Sequence, residues 1–553
     1  MPADAVPSGF YEAFLTELKA VDDFLAYRTG DAGHVQREDP DVRRLMESIA
    51  FFSARTRQAA TDQLRRAVLQ LARGHLDDFL SPQPARGLVQ AIPAGLTEST
   101  DLPAGTRLRL TTEDGDLGLF STMVDVKLRP LQIDLAELRP RSGSGFRLVI
   151  RIRARRDMER IAEPLAIHVS SLNDYRASLR FQNALRNHLP VRGASVFYGA
   201  APDPSSIGLV CEVSFGSLPQ AGAGSAGSPG SPIEQLRTFF HFPAKELCVN
   251  VSLPPPAARW RQAWLCLDLD KDWPSELVVN KDMFRLFVLP IENLVQDAAL
   301  PIKCDGTRSH FSIAPVRADA GLALHSVTGV FQEIASRRDP ILPVHLASGD
   351  ESYDLEQVAD DLDAFAPQLV LRLPDAFAAP RLISVEARWH QPGFDSLAVG
   401  KLEVKLQTRH VDGVELRLLG VLTPHRQSAL WRDPAAMLHV LSRRASRVLQ
   451  RRDLISLMTV LGADQDSYHA GLDAELLHVE TDEEPADLRR GGGIRDVYRI
   501  TIGEVDDDRR GLLEDYLHAI ETLLDAWRSN PVRVEVHRRI SGARPRLMTG
   551  SGT

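Results

Sequence analysis

The chain has 553 residues, of which 44% are hydrophobic and 25% charged, and its formal net charge is −9. This length predicts two to four domains, and the acidic balance argues against nucleic-acid binding. No apolar run is long enough to span a membrane and no signal peptide is apparent, so we expect a cytoplasmic protein without membrane insertion. The four cysteines are too widely spaced for a paired metal or redox motif, and we expect them to be small buried hydrophobes.

The first 85 residues form a predicted N-terminal helical region. In "FYEAFLTELKAVDDFLAY", apolar residues recur at spacings of three and four, which predicts a helix. A second segment, residues 39–73, has no internal Gly or Pro after Pro40. Asp39 is placed to cap this helix and Pro40 suits its first turn. About 34 helical residues would make a rod of about 50 Å.

Two adjacent phenylalanines in this rod, within "ESIAFFSAR", fall on different sides of a helical wheel. With Val42 as the zero of the wheel, four residues fall within about 80° of it, and the predicted core stripe therefore comprises Val42, Leu45, Met46, Ile49 and Phe52. Phe51 lies near 180°, where only Leu69 is also apolar. Two interpretations of Phe51 stay open: the helix of residues 10–27 covers it, or it contacts a partner chain. On this basis Phe52→Ala should destabilise the chain, whereas Phe51→Ala should weaken assembly.

Beyond residue 85 the pattern changes to a period of two, with Gly and Pro at the turns, which is typical of antiparallel strands. We predict a β-rich core over residues 86–345 and a second β-rich domain over 346–430. One helix, 173–189, interrupts the core. The segment 219–232 has the composition of a flexible loop and lacks the ending of a phosphate-binding loop.

The last region, 431–553, is predicted to be a C-terminal α/β domain. It opens with Asp433 and Pro434, the same helix-starting pair as in the N-terminal rod. Near its end, the strands "VYRITIGEV" and "VRVEVHRRI" flank a helix with one apolar face of about 140°. We expect that helix to pack on the sheet formed by its flanking strands. The predicted fold class is therefore α+β and multidomain.

Motifs for catalysis, cofactors and metals are missing from the sequence. There is no HExxH and no GxSxG elbow, and the single GxGxxG match, "GAGSAG", lies in the loop-like segment with no helix after it. We therefore expect no catalytic, cofactor-binding or metal-binding residues. Together with the long helix and the β-rich tracts, this favours a structural subunit.

Five segments in order carry a resemblance to a known family. They are "DPDVRRLMESIAFFSARTRQ", "HLDDFLSPQPARGLVQ", "LPAGTRLR" with "LFSTMVDVKLRPLQI", "LRTFFHFPAKELCVNV" and "FRLFVLPIENLVQDAALPIKCDGTRSHFSI". Over roughly residues 10–335 the chain resembles the type VI secretion baseplate subunit TssF, also called ImpG or VasA. Departures include "ATDQL" in place of an acidic stretch after the long helix and the loss of a cysteine at "LFVLP". After residue 345 only "VELRLLG" aligns.

The resemblance implies a non-enzymatic component of a contractile injection machine. Its implied partners are a TssG-like wedge subunit, a second copy of itself, a TssK-like adaptor that bridges to the membrane complex, and other baseplate and sheath components. Such a wedge forms part of the platform on which sheath and tube assemble. Two alternatives remain: a wedge protein of a contractile phage tail or related injection particle, and an enzyme whose active site has no recognisable motif.

Overall fold

The computed structural model has an α+β, multidomain architecture, as expected from the sequence. It describes residues 8–28, 39–141, 145–203, 206–217, 231–318, 321–334, 337–359, 365–398, 400–407, 411–431, 433–444, 446, 448–464, 468–485, 494–528 and 530–538. The predicted loop of residues 219–232 therefore lies almost entirely outside the described residues.

Eight α-helices occur in the described part of the chain. Two form the N-terminal region, three lie among the strands of the β-rich middle region and the last three follow it. In chain order they are α1 (Ser8–Arg28), α2 (Pro40–Leu80), α3 (Tyr175–His188), α4 (Pro232–His241), α5 (Phe394–Leu397), α6 (Pro434–Arg444), α7 (Arg451–Leu461) and α8 (Asp507–Trp527).

The strands are numerous and mostly short. In chain order they are β1 (Arg86–Ile92), β2 (Thr100–Leu102), β3 (Arg107–Thr111), β4 (Leu117–Thr122), β5 (Val126–Leu128), β6 (Leu131–Pro140), β7 (Phe146–Met158), β8 (Leu165–Val169), β9 (Ala194–Tyr198), β10 (Leu209–Val210), β11 (Glu212–Phe215), β12 (Cys248–Ser252), β13 (Trp260–Leu269), β14 (Phe284–Leu286), β15 (Val288–Glu292), β16 (Val295–Ala298), β17 (Ile302–Cys304), β18 (His310–Ser312), β19 (Ala323–Ile334), β20 (Arg337–Ile341), β21 (Ser352–Ala359), β22 (Phe365–Arg372), β23 (Arg381–His390), β24 (Glu403–Leu406), β25 (Glu415–Thr423), β26 (Leu476–Pro485), β27 (Ile494–Ile502) and β28 (Val532–Arg538).

The sheets of the middle region combine strands that are far apart in sequence. A six-stranded sheet has the order β24-β3-β4-β15-β1-β25, so that its outer strand β25 pairs antiparallel with β1. A five-stranded sheet, β10-β9-β13-β7-β6, and a four-stranded sheet, β11-β12-β8-β14, share a hydrophobic core with it. A further core lies between the sheet around β23 and the sheet β18-β22-β21. The predicted domain boundaries stay a prediction, because sheet pairing alone does not define units that fold independently.

The C-terminal region has the predicted β-α-β unit. β27 and β28 run parallel, joined through α8, while β26 pairs antiparallel with β27. However, α8 does not pack on its own sheet alone. Its face also meets α4, where the rings of Tyr516 and Phe240 lie 6.3 Å apart. The single apolar face of α8 is thus wide enough to pack on both the C-terminal sheet and α4.

Candidate partner interface

Helices α1 and α2 form an N-terminal hairpin whose contact surface on α2 is lined by small residues. Ala50 and Ala54 are completely buried, and Met46 is nearly so. On the rim of this contact, the Glu17 carboxylate accepts hydrogen bonds from the Ser53 hydroxyl, at 2.9 Å, and from Arg57, at 2.8 Å. The hydrogen bond from Arg57 is the main cause of a lowered pKa at Glu17. The small residues let the two helix backbones approach each other closely.

The structure corrects the predicted core stripe of α2. Of its members only Met46 is buried; Val42 is half-buried, while Leu45, Ile49 and Phe52 are 63%, 49% and 65% exposed. The physical reason is that α1 packs against the alanine side of α2. That side is rotated about a quarter turn from the stripe of large apolar residues.

Phe51 and Phe52 are both accessible. Phe51 is 40% exposed, and the two rings meet edge to face with their centroids 5.9 Å apart. Both rings therefore belong to the accessible surface of the hairpin, although the sequence assigned one to the core. The side chain of Leu69, the other predicted contact residue, lies outside the described structure.

Further large apolar side chains of the hairpin are exposed. We call the whole set the hairpin patch; it comprises Tyr11, Leu15, Phe24, Tyr27, Leu45, Ile49, Phe51, Phe52, Leu64 and Leu71, each at least 40% exposed. A surface with so many exposed aromatic and aliphatic groups is typical of a protein–protein interface. Sequence reasoning missed Phe24 and Tyr27 as surface residues, although neither fits the spacing of three and four that predicts this helix.

The inner end of α2 is held firmly by the rest of the chain. Val68, Ala72 and Leu76 are buried in the same core as α6, α7 and α8. Phe79 meets the Trp527 ring edge to face at 5.8 Å. The helix has a kink at Leu76, whose φ of −131° and ψ of 24° are not helical.

The last carbonyl groups of α2 are satisfied by side chains from distant parts of the chain. The Ser428 hydroxyl donates to the Phe79 carbonyl and the Trp431 indole to the Leu80 carbonyl, both at 2.6 Å. Arg237 also donates to the Asp78 carbonyl, at 2.5 Å. A helix end leaves these carbonyls without intrahelical partners, so the bonds fix the position from which the hairpin extends.

The described residues give no support for a metal site. Among the described residues no group of three or more His, Cys, Asp or Glu side chains could hold a metal ion. All four cysteines are buried, as predicted, and burial raises the pKa of Cys211 and of Cys248 to about 12. These thiols are protonated and unreactive at neutral pH. None of the described helices is long and apolar enough to cross a membrane.

Comparison with known proteins links the chain to a secretion machine. A model of the family "Type VI secretion system, TssF" matches residues 26–198 and 216–358. The fold is similar to a chain of a type VI secretion TssK-TssF-TssG baseplate subcomplex solved by cryo-electron microscopy. That match has a TM-score of 0.71 and 15% identity, and covers 92% of this chain and 100% of the other.

A second solved structure, of the baseplate complex from the type VI secretion system, contains a chain with the same fold. Its TM-score is 0.60 at 16% identity, and the match covers 96% of each chain. The comparison with curated proteins found no match. The family model spans more than half of the sequence and covers the hairpin from residue 26 onward. The chain belongs to the TssF family of the type VI secretion system.

Proposed function

We propose that the chain is a structural wedge component of a type VI secretion baseplate. Its partners are a TssG-like subunit, a second copy of itself and a TssK-like adaptor, and the assembled wedge supports sheath and tube assembly. The observation that carries the proposal is the hairpin patch, because large apolar groups exposed along two helices favour burial by a partner. The similarity to chains from the TssK-TssF-TssG baseplate subcomplex supports this choice of partners.

The hairpin patch is the surface that we assign to the wedge partner. Interface hot spots are rich in aromatic residues, and Phe51 and Phe52 stand on the exposed side of α2 next to Leu45 and Ile49. Leu69 lies on the same helix as a predicted contact residue. In this proposal the subunit acts in the cytoplasm, reaches the membrane complex only through partners, and has no catalytic role.

Co-expression tests the proposal. Expressed with the TssG-like protein encoded in its own organism, the chain should be recovered in higher soluble yield and should elute as a stable complex. Tagged chain purified from native cells should also bring down a TssK-like adaptor. A stable monomer that gains nothing from co-expression would contradict the proposal. Recovery of tail components without a TssK-like adaptor would favour the phage-like particle.

A paired variant separates the interface from general misfolding. Phe52→Asp places a charge within the hairpin patch, where it should abolish co-purification of the TssG-like protein. Val278→Asp is the matched control, because Val278 is 76% exposed in a loop of the β-rich core. If both variants retain the partner equally, the patch is not the interface.

A further inference from the structure

Strand β28 lies at the edge of the C-terminal sheet. The sheet has the order β26-β27-β28, and β28 pairs only with β27 among the described strands. An edge strand presents a row of backbone N–H and C=O groups that can pair with another chain. The seven residues of β28, "VRVEVHR", contain no Pro, Gly or Lys of the kind that commonly protects such an edge.

The two faces of β28 have different chemistry. Val534 and Val536 line a cavity of 680 Å³ beneath α8, together with Leu513 and Leu517. Arg533 and Glu535 alternate with the valines and so project from the opposite face. This strand therefore has an apolar face continuous with the helix and a charged face away from it.

We propose that β28 pairs antiparallel with β28 of a second copy of this chain, centred on Val534. In this register each valine lies opposite a valine, since position 532 of one copy faces 536 of the other and position 534 faces 534 of the other. Arg533 lies opposite Glu535 of the second copy, and the twofold axis repeats this pair. The segment "VRVEV" is thus complementary to itself when its direction is reversed, and cross-strand pairs of these kinds stabilise a sheet.

Neighbouring registers are disfavoured by like charges. Opposing residues on an antiparallel ladder project from the same face, so the pairing can shift only in steps of two. Shifted one way, Arg533 would face Arg533 of the second copy. Shifted the other way, Glu535 would face Glu535. Like charges directly opposite each other destabilise a sheet, so the charges select one register.

The charges are already positioned for this role within the single chain. Glu535 lies 3.3 Å from Arg499 on the neighbouring strand and 3.2 Å from Arg533 on its own. Arg499 also lies next to Asp482 and Glu484. In the pair of chains, Glu535 would stand between Arg499 and Arg533 of the second copy, which extends an existing ion network across the new strand pair.

In the proposed pair, α8 of the second copy would lie next to the cavity beneath α8 of the first copy. A twofold axis perpendicular to the sheet keeps both α8 helices on the same face. The second helix would then cover the open side of the cavity, which includes the half-exposed Leu517 and the 43%-exposed Val536. This inference does not rest on the proposed function, since it requires only a second copy of the chain.

Charge exchange tests the pairing with the full-length chain. Arg533→Glu alone and Glu535→Arg alone each place like charges opposite each other, so each should self-associate at least about tenfold more weakly than the parent. Mixed together, the two variants restore opposite charges at both positions and should associate as strongly as the parent. Sedimentation equilibrium measures each case. Arg192→Glu, at an exposed turn of the β-rich core, is the control and should associate as the parent does.

Cysteine crosslinking tests the register. The four native cysteines are buried, so Val534→Cys adds the one accessible thiol among the described residues. The two copies of position 534 would lie about 5 Å apart, within disulfide reach, whereas the two copies of position 536 would be about 13 Å or more apart. Oxidation should therefore crosslink Val534→Cys and leave Val536→Cys largely uncrosslinked.

Three results would overturn the proposal. They are a parent chain whose self-association is unaffected by Arg533→Glu, single variants that do not rescue each other, and efficient crosslinking at 536 instead of 534. If the chain self-associated through the hairpin patch, Arg533→Glu would have no effect, the variants would not rescue each other, and neither Val534→Cys nor Val536→Cys would crosslink. Binding of another protein's strand at this edge would leave the parent monomeric and would likewise contradict it.

Discussion

Arg86 is a charged residue with only 4% of its surface exposed. It donates to Gln83 at 2.6 Å and lies 3.4 Å from Glu292 on β15. Burial lowers its pKa, although the nearby Glu292 acts in the opposite direction. Arg86 and Glu292 lie opposite each other on β1 and β15 of the six-stranded sheet, and the bond to Gln83 links this sheet to the segment after α2.

Removing one member of this pair should be costly. Arg86→Ala leaves Glu292 without its partner, and breaking a buried pair in this way typically costs about 3–5 kcal/mol. The double variant Arg86→Met, Glu292→Leu should recover most of that loss, because neither charge then needs a partner. Denaturant unfolding followed by tryptophan fluorescence measures both.

An exposed ion pair provides the matched control. Arg259 and Glu159 lie 2.6 Å apart with their side chains 70% and 69% exposed. Arg259→Ala should cost at most about 1 kcal/mol, because solvent screens such pairs. Equal losses for Arg86→Ala and Arg259→Ala would contradict the structural role of Arg86.

Substitution at Ala50, and not at Phe52, should destabilise the packing of α2 on α1. Ala50→Leu forces a larger side chain into the contact with α1 and should cost about 1–3 kcal/mol. Phe52→Ala should change the free energy of unfolding by about 0.5 kcal/mol or less, as is usual for exposed positions, while weakening binding to the wedge partner. Hydrogen exchange in residues 8–28 measures the first effect. A larger loss for Phe52→Ala than for Ala50→Leu would return Phe52 to the core.

At the scale of elements, three histidines meet where β19, β23 and the segment after β25 converge. The rings of His390 and His425 stack with centroids 4.8 Å apart, and His325 meets His390 edge to face at 5.7 Å. His325 is hydrogen-bonded to the Pro82 carbonyl at 3.0 Å, which links this junction to the end of α2. Neither ring nitrogen of His390 is hydrogen-bonded to a described residue.

Acid should weaken this junction. Burial lowers the pKa of His325 to about 4 and that of His390 to about 3, from an ordinary value of 6.5. Between pH 6.5 and about 4 the unfolded chain therefore binds more protons than the folded chain, so stability falls as the pH falls. His390→Phe should keep the stacking and reduce this slope, as measured by denaturant midpoints across that range. The same slope in the variant as in the parent would mean that His390 does not contribute.

The core around α8 should respond as one unit. Ile520 is fully buried in the core that also contains the inner end of α2. Ile520→Asp introduces an unpaired buried charge, which costs about 3–5 kcal/mol. Hydrogen exchange should therefore rise in residues 68–80 as well as in 494–538. A rise limited to 494–538 would show that the β-α-β unit is independent of α2.

The helices and strands themselves were more predictable from the sequence than the elements that each of them packs against or pairs with. Asp39 and Asp433 cap α2 and α6 as predicted, because a capping side chain bonds to backbone N–H groups two or three residues away. The pairing of β1 with β25 was not predicted, because period-two patterns indicate a strand without indicating its partner. The prediction of the buried face of α2 was wrong for a related reason. A helical wheel places the largest apolar residues in the core, whereas α1 packs on the alanines.

At the scale of the whole molecule, α2 combines one fixed end with one projecting end. Its inner end is buried and its last carbonyls are bonded to Ser428 and Trp431. The outer part packs on α1 and exposes the hairpin patch. The kink at Leu76 lies within the inner end, between Ala72 and Phe79.

This arrangement makes α2 a lever arm with its fulcrum at Val68, where the helix leaves the core. At 1.5 Å per residue, Phe51 lies about 26 Å from Val68, so a rotation of about 10° there would displace the Phe51 ring by about 4 Å. A repacking around Phe79, Trp527 and Trp431 that tilts the helix by this angle would thus become a movement of about 4 Å at the partner's surface. A change in the tilt of α2 at the core thus becomes a displacement of the hairpin tip, which couples the packing of the C-terminal region to the geometry of whatever binds the hairpin.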